Sequence, residues 1–294
     1  MLNDVEEAIR SVSERAGASV VSVGRNGRGT GFVVTADRVL TSAHNLRDDT
    51  TSVTFADSSN AQANVHGVDT DGDLAVLAVP TGTAPVLTFA DVMPAVGAAV
   101  FAVSRGGHRP RTTVGFVSSV DQSFRGPRGR VVRGSVEHTA PLARGSSGGP
   151  ILDAAGNVVG VNTHRAGDGF YFARAADDLL KSRVQELIEG RSPRRRTLGV
   201  ALAPQHVAKQ LREAVGLPAH DGLLVRGVED NGPAARAGIV VGDLLVSFAG
   251  RTLASVDDLQ EALEQLDAES ADVGFVRGVD TLSVTVEFET PTAE

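Results

Sequence analysis

The sequence predicts a mainly β chain in two parts: an all-β barrel or sandwich unit, then a smaller second domain. Three observations support this. From residue 18 to residue 161, short β-branched runs alternate with Gly, Pro and Asp turns at close spacing, the pattern of short antiparallel strands. No regular helix–strand alternation appears, which argues against a parallel α/β sheet. The charge also divides: residues 1–196 carry 22 Lys+Arg against 20 Asp+Glu, and residues 197–294 carry 6 against 16.

Taken in order, residues 4–15 read as a short amphipathic helix with Asn3 or Asp4 as N-cap. Strands are expected at 19–23, 31–35, 52–55, 74–79, 98–103, 112–120, 130–137 and 158–162. A division near 90–96 places His44 and Asp73 in a first barrel and Ser147 in a second, with a cleft between them. Residues 175–189 have the helical spacing Leu179, Leu180, Val184, Leu187, and Gly190 is a fitting C-terminal stop. Residues 191–196, Arg-Ser-Pro-Arg-Arg-Arg, form a polar, Pro-broken linker. The domain expectation is therefore 1–190, linker 191–196, and 197–294.

A chain of 294 residues is long enough for two cores. The acidic second part argues against nucleic acid as the main partner. Arginines 105, 109, 111, 125, 128, 130 and 133, opposed within that span only by Asp121, read as solvated hairpin tips or as a surface for an anionic activator or the acidic second part of the chain. There are no cysteines, which excludes disulfides and suits a reducing or redox-indifferent setting. The N-terminus has neither a basic start nor an apolar core, and the longest apolar run, 95–103, is too short for a membrane span. The expectation is a cytoplasmic protein, or a periplasmic or extracytoplasmic one if a targeting segment has been removed.

The chemistry concentrates in Gly145-Ser146-Ser147-Gly148-Gly149-Pro150. A serine hydroxyl needs an adjacent base and donors for the oxyanion. Small residues around Ser147 let a substrate carbonyl approach the backbone, and the Gly145 and Ser147 amides are the candidate donors. The candidate base is His44, where an apolar strand ends in Thr41-Ser42-Ala43. The candidate orienting acid is Asp73 at the head of the apolar run 74–79. Accepting from imidazole Nδ1 would satisfy its buried charge. Asp69 and Asp71 are weaker rivals in a polar turn with no strand to hold them. Gly27-Arg28-Gly29-Thr30-Gly31 precedes a strand rather than a helix, so it is not a phosphate loop. An α/β-hydrolase would place its acid and His after the Ser, which the order here opposes. No metal-ligand spacing occurs among the seven His, and no cofactor is expected.

In 29–34, 40–44, 73–77, the Ser147 loop and 156–163, the chain resembles the HtrA (Deg) family of chymotrypsin-fold serine proteases. Leu198-Gly199-Val200, 222–225, 232–239, 242–245 and a helix at 256–266 resemble a PDZ domain in that family's order. The resemblance implies a double β-barrel protease domain followed by an α+β PDZ domain. It implies cleavage of unfolded or misfolded proteins by His44, Asp73 and Ser147. Peptide C-termini would be held by the Leu198, Gly199 and Val200 amides, with the last side chain meeting Leu259 and Leu263. Leu142, Asn162 and His164 are the implied S1 pocket. A peptide-binding quality-control scaffold with a latent protease domain is the rival reading. A homo-oligomer is implied, yet the aromatic residues that pin the family's trimer have no counterpart before Phe32.

Overall fold

The computed structural model describes residues 2–106, 109–125, 131–192, 196–266 and 268–288. Arg128, Arg130 and linker residues Pro193, Arg194 and Arg195 lie outside the described residues. The chain forms two compact units, Met1–Pro193 and Arg194–Glu294.

The first unit opens with helix α1 (Leu2–Gly17). Asn3 and Asp4 lie inside it rather than capping it, and Asp4 contributes a negative charge to its first turn. Val12 and Ala16 are fully buried in the core. Arg15 clips the helix to a later turn by donating to the carbonyls of Ala155 (2.8 Å) and Ala154 (3.3 Å).

Strands β1 (Val20–Val23), β2 (Gly29–Thr35), β3 (Arg38–Thr41), β4 (Thr50–Thr54), β5 (Asn60–Asp69) and β6 (Leu74–Ala78) close into a barrel in the order β1-β2-β3-β6-β5-β4. Val21, Val23, Val33, Val39, Val53 and Leu77 fill its interior. β3 and β6 pair antiparallel, with Thr41 opposite Ala75. The exit of β3 therefore lies beside the entry of β6. That register is what brings His44 and Asp73 together.

Strands β7 (Ala99–Ser104), β8 (Arg111–Arg125), β9 (Val131–His138), β10 (Pro150–Leu152), β11 (Val158–Gly167) and β12 (Phe170–Ala175) form a second closed barrel, ordered β10-β11-β12-β9-β8-β7. Pro150 pairs with Val161, so the turn carrying Ser147 lies against Asn162 and Thr163. A cluster that includes Phe32, Leu40, Leu74, Phe101, Val103 and Val161 draws on strands of both barrels. Burying that much apolar surface is the main force holding them together. Arg105, from the arginine-rich stretch, does not reach solvent. It is buried and donates to the carbonyls of Val20 and Gly17, both at 2.8 Å.

Helix α2 (Asp178–Ile188) ends the unit. Its N-cap is Asp177, which accepts from the Leu180 amide at 2.8 Å, so it starts three residues later than its apolar spacing suggests. Leu180, Val184 and Leu187 are buried, whereas Leu179 is exposed.

The second unit holds β13 (Val200–Ala203), α3 (Gln205–Ala214), β14 (Leu223–Val228), α4 (Pro233–Arg236), β15 (Leu244–Phe248), β16 (Arg251–Thr252), α5 (Val256–Glu264), β17 (Ser270–Arg277) and β18 (Asp280–Glu287). The sheet order is β13-β14-β15-β17-β18, with β16 on β15. Leu198, Leu223, Phe248, Leu259, Val273 and Phe288 share its core. A capping box between Ser255 and Asp258 starts α5: the Asp258 amide donates to Ser255 Oγ, and the Ser255 amide donates to Asp258 Oδ2. α5 stops two residues short of the expected end at 266.

Candidate active site

His44 sits in a single 3-10 turn, Ala43–Asn45, immediately after β3. Asp73 precedes β6 in left-handed backbone, φ +55°, a conformation Asp tolerates better than most side chains. His44 Nδ1 lies 2.8 Å from Asp73 Oδ2 and 2.9 Å from Oδ1, and the His44 amide donates to Oδ1 at 3.0 Å. The Thr163 hydroxyl donates to Asp73 Oδ2 at 2.6 Å. Burial alone would push the Asp73 carboxyl up. The hydrogen bond and charge of His44, with the Thr163 hydroxyl, outweigh that and hold it below its ordinary value. Asp73 is thus an ionised acceptor, and its partners orient Nδ1–H toward it, leaving Nε2 free to take a proton.

Asp69 ends a strand after all, but its carboxylate is already committed. It accepts from the Asp71 and Gly72 amides and pairs with Arg183. It closes the turn that presents Asp73.

Ser147 is held from both barrels. Its carbonyl accepts from the Thr30 amide and from Asn45 Nδ2, both at 2.9 Å. Thr30 Oγ1 donates to the Gly145 carbonyl at 2.6 Å, and Thr41 Oγ1 donates to the Thr30 carbonyl at 2.7 Å. The glycine-rich stretch around Thr30 is therefore a bracket for the Ser147 loop. Gly148 has φ +83°, and a Cβ there would stand 2.3 Å from the Thr30 carbonyl oxygen, a contact only glycine permits. From the other side, the Gly148 amide donates to the Asn162 carbonyl at 2.7 Å.

The Ser147 hydroxyl donates to the Thr163 carbonyl at 3.2 Å. Among the described residues it makes no hydrogen bond to His44, a looseness common in resting active sites. The Gly145 and Ser147 amides donate to no group among the described residues, which leaves both available to an incoming oxygen.

Of the three S1 candidates, Leu142 is half-buried and packs against the core of the second barrel. Asn162 is fully buried beneath the Ser147 turn. His164 is exposed and lies flat against Phe124, ring centroids 5.6 Å apart. Among the described residues no cluster of His, Asp and Glu could hold a metal.

In the second unit, a groove of about 550 Å³ runs between β13 and α5. Leu198, Gly199, Val200, Leu259 and Leu263 all line it. Leu259 and Leu263 also belong to the core, so they shape the groove floor while packing the domain. Gly199 has φ +71°, and its carbonyl accepts from the Glu229 amide at 2.8 Å. The Leu198 and Gly199 amides donate to no group among the described residues. Edge-strand pairing of an extended peptide would fit here.

Sequence reasoning missed Thr163, Asn45 and Thr30. Thr163 was legible only as the neighbour of Asn162, and its double role depends on β11 lying beside the Ser147 turn.

Two barrels meeting at a His–Asp pair and a glycine-rich serine turn, followed by a grooved sheet domain, define a trypsin-like peptidase domain joined to a PDZ domain. Family models agree: "Trypsin-like peptidase domain" matches residues 29–161 and "PDZ domain" matches residues 224–277. A "Probable periplasmic serine endoprotease DegP-like" of Pseudomonas fluorescens is 34% identical over 249 residues, covering 82% of this chain and 51% of that protein. A protein of the same name from Halomonas elongata is 30% identical over 280 residues, covering 92% of this chain and 58% of its own length. The solved structure "HtrA-type protease AlgW with decapeptide" superimposes with a TM-score of 0.70 at 22% identity, covering 97% of this chain and 99% of that one. The chain belongs to the HtrA (Deg) family of trypsin-like proteases, and its second unit is a PDZ domain. It spans about half the length of these curated relatives.

These names overturn the expectation of a cytoplasmic protein. Both relatives are named periplasmic, so the relationship points to the periplasm. Lack of cysteine was a poor guide to compartment, because closed hydrogen-bonded barrels with packed cores are stable without cross-links. Among the described residues no helix is long and apolar enough to cross a membrane.

Proposed function

We propose that the protein is a serine endopeptidase acting on unfolded or misfolded proteins, with its PDZ groove binding peptide C-termini. The observation that carries this reading is the His44–Asp73 pair, braced by Thr163, beside a serine whose turn leaves two amides unused. Ser147 rotates from the Thr163 carbonyl toward His44 as substrate enters. His44 Nε2 takes the hydroxyl proton while Oγ attacks the scissile carbonyl. Asp73 stabilises the imidazolium, and the Gly145 and Ser147 amides hold the oxyanion. His44 then delivers the proton to the leaving amine, and water completes the cycle through the same groups. The division into a protease domain at 1–190, a linker at 191–196 and a PDZ domain at 197–294 is part of this proposal. It is supported by two compact units that meet at 193/194.

The scaffold alternative is not favoured, because the relatives are named serine endoproteases. A fluorophosphonate probe applied to the full-length protein tests the reading. Labelling at Ser147, lost together with casein cleavage in Ser147→Ala, is expected; casein cleavage by Ser147→Ala at even a tenth of the wild-type rate refutes it.

A further inference from the structure

His138, the last residue of β9, is fully buried and takes no part in the chemistry above. Its Nε2 lies 2.9 Å from Asn162 Oδ1. Asn162, equally buried, donates Nδ2 to the carbonyls of Gly149 (3.1 Å) and Pro150 (3.4 Å). Those carbonyls fix which end of the amide is nitrogen, so its oxygen faces His138 and Nε2 is the protonated ring atom. Nδ1 keeps its lone pair and has no partner among the described residues. The ring stacks on Tyr171 with centroids 5.8 Å apart. Burial holds the imidazole down at about 4, so it is neutral across the near-neutral range.

The bonds leaving His138 converge on the turn that carries Ser147. Asn162 grips that turn through four contacts: its side chain on Gly149 and Pro150, its carbonyl on the Gly148 amide, and its amide on the Gly149 carbonyl. Thr163, the next residue, touches both Ser147 and Asp73. No other donor reaches Asn162 Oδ1 among the described residues. Without His138 the buried amide oxygen would be unsatisfied, and the amide would gain by rotating away from the Ser147 turn.

We propose that His138 is a positioning residue for the nucleophile: its Nε2–H pins the Asn162 amide, and Asn162 sets the Gly148–Pro150 turn and hence the placement of Ser147 Oγ. This rests on reading Ser147 as the nucleophile. A group acting this way governs the chemical step rather than substrate affinity, since small displacements of a reacting atom are costly in rate.

The test compares full-length wild type, His138→Phe and His138→Gln. Phe keeps a ring on Tyr171 but has no N–H; Gln carries an amide N–H at the reach of imidazole Nε2. Fluorophosphonate labelling rate, kcat and KM on a fluorogenic peptide, and folded fraction by circular dichroism are measured for each. The Phe variant is expected to fold and to lose roughly ten- to a hundred-fold in kcat and labelling rate, with KM changed by less than about threefold. Gln is expected to recover most of both rates. Wild-type kcat per folded molecule in His138→Phe overturns the proposal, and so does equal impairment of Phe and Gln. If Phe does not fold, His138→Met replaces it, with the same two outcomes deciding. A wild type that neither labels nor cleaves overturns the nucleophile reading itself, and is distinct from a wild type that works equally well without His138.

Discussion

Thr163 Oγ1 stands 2.6 Å from Asp73 Oδ2, a hydrogen bond that joins the second barrel to the acid of the first. The same residue's carbonyl accepts the Ser147 hydroxyl. Thr163 thus touches two of the three groups proposed to carry the reaction, from a position with no reactive atom of its own.

Replacing that hydroxyl separates the two roles. Thr163→Val keeps the carbonyl and the shape but leaves Asp73 one donor short. A hydrogen bond to a charged group is worth about 1.5–3 kcal/mol, so kcat/KM should fall roughly ten- to a hundred-fold. Thr163→Ser should recover most of it. Steady-state kinetics on one peptide substrate reads both, and an unimpaired Val variant would remove Thr163 from the machinery.

Gly148 and Gly156 make a matched pair. Both have positive φ, +83° and +87°, but a Cβ at Gly148 meets backbone at 2.3 Å, whereas one at Gly156 meets nothing closer than Arg15 at 3.5 Å. Gly148→Ala should cost roughly 2–4 kcal/mol of stability and abolish cleavage. Gly156→Ala should cost about 1 kcal/mol and leave cleavage intact. Urea unfolding with activity assays on both variants checks the contrast.

His138 gives stability a specific pH dependence. Its folded-state pKa, about 4, lies below the ordinary 6.5 because burial disfavours the charged form. Between those values the unfolded chain binds the proton and the folded one does not. Stability should therefore be at its full value above about pH 6.5 and decline as pH falls toward 4, by about 3 kcal/mol from this group. Urea midpoints for wild type and His138→Gln across pH 4–7 should converge toward the acid end. Parallel curves would mean that His138 titrates normally.

The PDZ groove should distinguish a free carboxylate from its amide. With the Leu198 and Gly199 amides donating to no group among the described residues, amidating the C-terminus of a peptide that ends in Val should weaken binding at least about tenfold, the scale of one charge-assisted hydrogen bond. Calorimetry on the full-length protein measures this. Equal affinities would exclude carboxylate capture.

If Ser147 is the nucleophile of a chymotrypsin-like site, recognition of a basic P1 side chain would need a carboxylate near the position six residues before it. Pro141 occupies that position, with Ala140 buried and Leu142 half-buried, and none offers a carboxylate for a basic side chain. His164 is exposed and stacked on Phe124. Cleavage after small or medium aliphatic residues is expected, and cut-site mapping in a denatured substrate by mass spectrometry tests it. A predominance of Lys or Arg would exclude this pocket.

What could be read from the sequence was whatever the chemistry restricts to a few residue types. The proposed nucleophile, base and acid are of types with few substitutes, and their order in the chain is readable without coordinates. Groups that work by hydrogen bonding alone were not readable. Thr30, Asn45 and Thr163 are common residues, and their partners lie 115, 102 and 90 positions away. β5 escaped because Asn60, Gln62, Asn64 and Gly67 are poor strand formers, and pairing with β4 and β6 overrides them. α3 escaped because it follows Pro204 with no side-chain cap. Leu179 and Arg105 show the reverse error, since an apolar residue faces water and a charged one is buried, each through its neighbours' geometry.

The cross-bracing between the barrels also bears on timing. A chain still leaving the ribosome has made Thr30, His44, Asn45 and Asp73 long before Thr163. Until β11 is synthesised and seated, Asp73 lacks one of its donors and the serine turn lacks the floor that Asn162 provides. On the proposed reading, proteolytic competence would then arrive only once β11 is seated beside the serine turn.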